Sequence, residues 1–450
     1  MPDDLTSSTA AESRVAPILA AGFITASAMW CVGFVTHLPG IELSGPIVAA
    51  PLLIVQFLGC VLAGRLVTKR AALTTGIGTG VLTGLINLLV LGSVVARDEG
   101  ANSLRDNAAV IAFTSIAVAG VLGGIGGFVG GMLASGCTCR TLCANKWHAR
   151  FALAAPLAAL LTLLSGGIVT STETGLAVPD WPNSFGSNMF LFSLSKMTGG
   201  IYYEHAHRLF GSLVGLTVLT LFVYTLVRKG VPRIAKIASG VAFIAVCLQG
   251  VLGGVRVSSA TPTDDPNVTA DHAGSLALAM VHGVSGQITF ALLLVLAATL
   301  SVGWIKAPKL DKADSKLRTF SLVLLVLLGV QLLLGAATRH SNLDAKFMHS
   351  HTLVGVFVLI AAMLAGFRAF GLYKDNKTLR KAGAATAHST MLQFVLGIAT
   401  MIVLLFGMDD PTNSTAEVIL ATAHQANGAL VLGAGTLLFV WVRKLVPKAP

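Results

Sequence analysis

Twelve apolar runs, spaced along the whole chain, leave little freedom in what it can fold into. Most are about 18 to 25 residues long and the longest slightly more, and a helix of that length, rising about 1.5 Å per residue, crosses a hydrocarbon core of about 30 Å. The runs fall approximately at 15 to 36, 46 to 64, 75 to 96, 108 to 134, 151 to 169, 204 to 227, 238 to 256, 276 to 303, 318 to 338, 349 to 372, 383 to 406 and 417 to 442. A membrane β-barrel is excluded, because its strands alternate apolar and polar residues over about ten positions. With 54% hydrophobic and 11% charged residues, against about 25% charged in soluble domains, the chain reads as an all-α integral membrane protein with about twelve transmembrane helices. The first run is too long for the apolar stretch of a signal peptide, so it is expected to be a retained helix.

The net charge of +11 does not point to nucleic acid, because the basic residues are scattered among alternating loops. With the N-terminus on the cytoplasmic side, inner loops hold twenty-two lysines and arginines and outer loops five: Arg97, Arg105, Lys196, Arg339 and Lys346. That asymmetry predicts a multi-pass protein of the cytoplasmic (inner) membrane with both termini cytoplasmic. Cys31, Cys60 and Cys247 lie in apolar runs. Cys137, Cys139 and Cys143 share one basic inner loop, where structural disulfides are not expected. Three thiols do not complete a zinc site, although His148 is a candidate fourth ligand.

The last eight runs contain an internal repeat, which takes precedence in reading architecture. Leu164-Ser165-Gly166-Gly167 resembles Leu334-Gly335-Ala336-Ala337, and Leu248-Gln249-Gly250-Val251-Leu252-Gly253 resembles Leu392-Gln393-Phe394-Val395-Leu396-Gly397. Tyr203-Glu204-His205-Ala206-His207-Arg208-Leu209-Phe210-Gly211 recurs as Phe347-Met348-His349-Ser350-His351-Thr352-Leu353-Val354-Gly355. The repeat predicts two pseudosymmetric four-helix bundles over 151–310 and 311–450, preceded by an accessory four-helix region over 1–150 rich in small residues that favour close helix packing. A transporter of two six-helix halves would break near residue 240, whereas this repeat breaks near 310.

His207 is followed after 75 residues by His282, and His351 after 73 by His424. Topology sends all four helices inward, placing these histidines in their first two turns or so, within about 10 Å of the outer surface. The second and fourth helices of an up-and-down bundle face each other diagonally, so each pair is positioned to hold a flat ring as a bis-histidine heme. The competing reading is a pair of hydrogen-bonding histidines. Zinc is disfavoured because its catalytic sites want three protein ligands.

Glu204, one turn before His207, has Met348 as its counterpart, so a carboxylate is not required to hold the ring. Its expected role is proton transfer or orientation of a water, against a simpler interaction with the helix dipole. His205 and His349 read as interfacial or supporting residues. His272 and His340 belong to outer loops, and His37 and His388 have no matched partner. Arg208, Arg256 and Arg339, at outer helix ends, either snorkel or pair with heme propionates. An outer loop of about 34 residues follows the fifth run, long enough to be a functional lid.

This loop contains Gly175-Leu176-Ala177-Val178-Pro179-Asp180-Trp181-Pro182. Together with Glu204-His205-Ala206-His207-Arg208 and the later histidines, it resembles the heme A synthase family over about 151–442. The resemblance implies oxidation of the C8 methyl group of heme O to the formyl group of heme A, for cytochrome oxidase biogenesis. It implies that Glu204, His207 and His282 form the heme O substrate site, and that His351 and His424 ligate a heme b cofactor. Heme O synthase, an electron acceptor and a second copy of the chain become candidate partners, within the lipid bilayer. Many members carry a cysteine pair in the lid. Val178 and Ser184 stand at those positions here, so a mechanism using the thiols does not operate. A diheme electron carrier resembling membrane cytochrome b is the alternative; it leaves the single glutamate and the long lid without a role.

Overall fold

A computed structural model of the protein describes residues 15–134, 141–259, 261–262, 269–270, 273–311, 313–341, 343–406 and 415–448. Among these, twelve helices are long and apolar enough to cross a membrane. They are α1 (Val15–Thr36), α2 (Gly45–Arg65), α3 (Lys69–Val95), α4 (Ala108–Met132), α5 (Thr141–Ser171), α6 (Gly199–Val227), α7 (Arg233–Ser258), α8 (Ala273–Thr299), α9 (Ser315–His340), α10 (Ala345–Leu372), α11 (Lys377–Phe406) and α12 (Thr415–Leu445), with a short helix at Val302–Lys306. The chain is an all-α multi-pass membrane protein. Several helices begin earlier than the apolar runs, α6 five residues ahead of 204 and α3 six ahead of 75, because glycine, tyrosine and basic residues continue the helical turn beyond the apolar stretch.

Two compact units are formed. The first comprises the described residues up to Thr162, with Ala177–Phe243 and Leu300–Val302. Here the small residues let helix backbones touch. A Cβ on Gly127 of α4 would lie 2.8 Å from the Cα of Gly76 on α3, and one on Gly126 would lie 2.9 Å from the Cβ of Cys60 on α2. Such contacts replace the hydrophobic drive that is missing between helices in lipid. α1 joins α3 through Trp30 Nε1, which donates to Asn87 Oδ1 at 3.0 Å. It joins α5 through Phe23 against Phe151, with ring centroids 5.5 Å apart. α5 meets α6 where His148 Nε2 lies 3.0 Å from Thr225 Oγ1.

The second unit comprises Leu163–Leu176, Ile244–Thr299 and the described residues from Gly303. Helices α9 to α12 pack in sequence and close on themselves, α12 against α9, as an up-and-down bundle. Its core holds Leu317, Leu324, Leu328, Val358, Ala362, Ala365, Leu438 and Val442. At the basic end, Asp314 caps α9 by accepting from Leu317 N at 3.0 Å and pairs with Arg368 Nε at 2.9 Å. Burial pushes the Asp314 carboxyl up, but the hydrogen bonds from Arg368 and Leu317 N and the Arg368 charge outweigh it and hold the carboxyl below its ordinary value. Burial, then the Asp314 charge, pushes the Tyr373 phenol up to about 12.

The α3–α4 contact gives a direct test. Gly127→Leu drives a side chain into the backbone of α3 and is expected to cost about 1–3 kcal/mol. Thermal unfolding in detergent measures it, and an unchanged melting temperature contradicts the close approach.

Candidate functional site

The connection between α5 and α6 runs over residues 172–198, shorter than the sequence implied because both helices extend into it. Strands Asn183–Ser184 and Ser187–Asn188 form a small hairpin. Its turn places Phe185 and Gly186 at φ 51° and 75°, the left-handed pair of a tight hairpin turn. Asp180 holds that turn: Oδ1 accepts from Phe185 N at 2.7 Å and Oδ2 from Gly186 N at 2.8 Å. The Pro-Asp-Trp-Pro stretch thus shapes the lid through its aspartate.

The lid is latched to α6 at consecutive points. Glu204 Oε2 accepts from Val178 N at 2.8 Å. Arg208, one turn on, donates from Nη2 to Glu204 Oε1 at 2.6 Å and to Val178 O at 2.8 Å. Its Nη1 donates to Asp180 O at 2.6 Å and to Asn183 O at 3.0 Å. The two side chains are only 5% and 9% exposed, so this ion pair is desolvated and its hydrogen bonds are charge-assisted. His205, fully buried, has Nδ1 3.2 Å from Ser184 Oγ. Val178, through its backbone, and Ser184, through its hydroxyl, therefore both bond to α6. Arg208, expected to snorkel or to meet a propionate, is engaged with the lid.

His351 and His424 come together in the second unit. Their ring centroids are 6.2 Å apart with planes at 75°. Metal–nitrogen bonds of about 2 Å on each side, plus the inner half of each imidazole, give about 6 Å between ring centres across one metal atom. Each ring rests on a glycine of the preceding helix: a Cβ on Gly335 would lie 2.9 Å from His351 Cε1, and one on Gly397 3.1 Å from His424 Cε1. One turn before each glycine, a glutamine ties the helices. Gln331 Nε2 donates to His351 O at 3.0 Å, and Gln393 Nε2 donates to His424 O at 3.0 Å. Asn427 Nδ2 fixes Gln393 by donating to its Oε1 at 2.8 Å. His351 Nδ1 is buried without a hydrogen-bond partner. Two imidazoles at this separation, in a slot that a Cβ would block, are residues that would hold a heme between them. Among the described residues no three His, Cys, Asp or Glu side chains gather as a metal site.

The other pair divides between the units. His207 Nδ1 lies 3.1 Å from Thr162 O. A carbonyl only accepts, so Nδ1 carries the proton and the ring lone pair is on Nε2. His282 repeats the cradle of the second unit: a Cβ on Gly253 would lie 3.4 Å from its Cε1, and Gln249 Nε2 donates to Ser285 Oγ at 2.8 Å. His207, His282 and His424 are the ninth, tenth and tenth residues of their helices. They lie about 12 to 14 Å from the helix start, just past the second turn, because the helices begin earlier than the apolar runs. Arg256 Nη1 donates to Gly175 O at 3.4 Å, on the connection after α5, and Arg339 Nη2 to Thr170 O at 2.6 Å, in the last turn of α5. His37 Nδ1 approaches Gly33 O at 2.8 Å, His340 ends α9, and His349 and His388 are exposed. Cys137, Cys139, His272 and the Cys143 side chain lie outside the described residues.

Sequence reasoning missed the glutamine and glycine cradle, although its signal was present: Gln-x-x-x-Gly occurs at 249–253, 331–335 and 393–397, each on the helix before a candidate histidine. It also missed the partners of Glu204. The connection between α9 and α10 spans only 341–344, so the second copy has no long lid for a carboxylate to hold, and Met348 stands there.

The family model described as cytochrome oxidase assembly protein matches residues 187–349. That span contains Glu204, His207, Arg256, His282 and Arg339 and stops just before His351. The chain is similar to proteins named heme A synthase from several bacteria. It is 27% identical to that of Rhodospirillum centenum over 346 residues, covering 63% of this chain and 85% of the relative. For Bradyrhizobium diazoefficiens the identity is 26% over 339 residues, covering 62% and 86%. For Lysinibacillus sphaericus it is 27% over 204 residues, covering 44% and 60%.

The Glu204–Arg208 latch is measurable by a double-mutant cycle. Arg208→Ala alone leaves a buried carboxylate without its guanidinium and is expected to destabilise by about 3–5 kcal/mol. Adding Glu204→Gln removes the orphaned charge and should recover much of that loss, whereas simple additivity of the two changes contradicts the latch.

Proposed function

We propose that this chain, which belongs to the heme A synthase family, oxidises the C8 methyl group of heme O to the formyl group of heme A by successive hydroxylation. The observation that carries this reading is the asymmetry of two otherwise matched histidine sites. Only the first has a long lid, and only there does a buried carboxylate hold the lid in place. An electron carrier needs two alike rings and no such enclosure, so the diheme cytochrome reading leaves Glu204, Arg208 and segment 177–198 without a task.

In this proposal Glu204, His207 and His282 form the catalytic site for heme O, within a functional segment 151–310, and His351 and His424 hold heme b in segment 311–450. Residues 1–150 form an accessory region. When bound, heme b supplies the redox chemistry that side chains lack. His207 presents Nε2 because Thr162 O holds the proton on Nδ1. Glu204 serves proton traffic beside the substrate methyl, while Arg208 keeps the lid against it and excludes water. Arg256 and Arg339 are the proposed propionate partners, since each places a guanidinium at the C-terminal end of α5 or the connection just after it. The inner membrane, with both termini cytoplasmic, is the proposed location, by the count of basic loops. Heme O synthase, an electron acceptor and a second copy of the chain are the proposed partners.

Coexpression with a heme O source, followed by pigment extraction, tests the activity. Heme A and its hydroxylated precursor are expected, and absence of both overturns the assignment. Glu204→Ala is expected to lower product by about 100-fold or more and to leave the heme b absorption in place. Loss of that absorption would make the glutamate a structural residue only.

A further inference from the structure

The accessory region contacts the lid in the first unit, and these contacts assign it a task. We infer that the N-terminal four-helix region is a clamp on the lid, with Asp98 and Asn102 of the α3–α4 loop and Phe34 of α1 acting as positioning residues for segment 188–198. The inference rests on the reading of 177–198 as the lid of the heme O site.

The α3–α4 loop is preorganised. Arg97 N donates to Ser103 O at 2.8 Å and Arg105 N to Val95 O at 3.0 Å, and Arg97 pairs with Asp106 at 2.5 Å. From this loop, Asp98 Oδ1 accepts from Ser193 Oγ at 2.7 Å and also from Ser195 Oγ. Asn102 Oδ1 accepts from Asn188 N at 2.6 Å. Gly92, near the end of α3, lies flush against the carbonyl of Phe190, where a side chain would not fit. Hydrogen bonds from Ser195 and Ser193, with Lys196 and Arg105 nearby, hold the Asp98 carboxyl below its ordinary value, so it is an acceptor across the neutral range.

The end of α1 makes the second contact. Phe34 stacks on Tyr202 with centroids 5.4 Å apart, and Tyr202 donates its hydroxyl to Phe34 O at 2.7 Å. Phe34 and Leu38 pack on the buried group Phe192, Met197 and Tyr202, which joins the lid to the first turn of α6. Phe192 in turn lies 5.3 Å from the ring of His205, whose Nδ1 meets Ser184 of the lid hairpin. A continuous path of contacts therefore runs from α1 through Phe192 and His205 to the hairpin, beside the Glu204 latch. The buried aromatic group gives this clamp its strength. The solvent-exposed bonds to Asp98 and Asn102 are screened and set its register.

Amide hydrogen exchange of the purified full-length protein in detergent tests the clamp without depending on heme chemistry. In Asp98→Ala and in Phe34→Ala, exchange of amides within 177–198 is expected to rise about tenfold, with α9 to α12 unchanged. Asp98→Asn, which keeps an acceptor oxygen, is expected to restore most of the protection. In turnover with heme O, the Ala variants should raise KM about fivefold and leave kcat nearly unchanged. Lid exchange at the wild-type rate in both Ala variants overturns the clamp, even if heme A is made. Faster lid exchange in a protein that makes no heme A upholds the clamp while removing the proposed activity.

Discussion

Much of the first unit depends on one ion pair that water scarcely reaches. Glu204 and Arg208 face each other at 2.6 Å with side chains 5% and 9% exposed. Each would be costly to bury alone, and neither stays neutralised unless the other holds its place. The pair is completed by the lid backbone, through Val178 N on the acid and through the carbonyls of Val178, Asp180 and Asn183 on the base. Opening the lid would remove those partners from charges that stay on α6. Closure and charge compensation are therefore one event, which is why the carboxylate belongs to the copy with a long connection and is replaced by Met348 where the connection shrinks to 341–344.

In the proposed assignment the bundle of α9 to α12 has a different problem, holding a flat group rigidly rather than admitting and enclosing one. Glycine under each ring gives the imidazoles room, and glutamine one turn earlier fixes the helix that carries them. The bundle is tied at its far end as well. Leu310 N donates to Leu445 O at 2.8 Å, Arg318 Nη1 donates to Val446 O at 2.6 Å, and Asp314 holds Arg368. Ties at both ends keep His351 and His424 at a fixed separation, as suits a resident cofactor. His207, in the first unit, instead takes its orientation from the backbone carbonyl of Thr162; in the sequence repeat, Ser165 stands where Gly335 stands in the second copy.

Much of the fold was legible because lipid imposes simple arithmetic. Twelve apolar runs gave twelve helices, and the small residues of the first four became backbone contacts such as Gly76 against Gly127. The histidine pairs stand out in the sequence because duplication displays them twice. Helix starts were less legible: the Gly-Gly-Ile-Tyr-Tyr turn at 199–203 begins α6 ahead of its apolar run, and hydropathy does not mark it as the start. The role of Arg208 was hidden because an arginine at a helix end looks the same whether it snorkels or binds carbonyls 25 to 30 residues away. The packing of Phe34 and Asp98 on the lid was beyond reach, since residues separated by 95 to 168 positions meet only through the fold. Gln-x-x-x-Gly was in plain view and lacked only the knowledge that a glycine there faces a ring.

The division of labour between the two histidine pairs is the central claim, and heme analysis of purified single variants from a host that makes no heme O tests it most directly. His351→Ala is expected to lose the bound heme b, while His207→Ala is expected to keep it at the wild-type stoichiometry with an unchanged absorption spectrum. Heme b retained by His351→Ala and lost from His207→Ala would contradict the account.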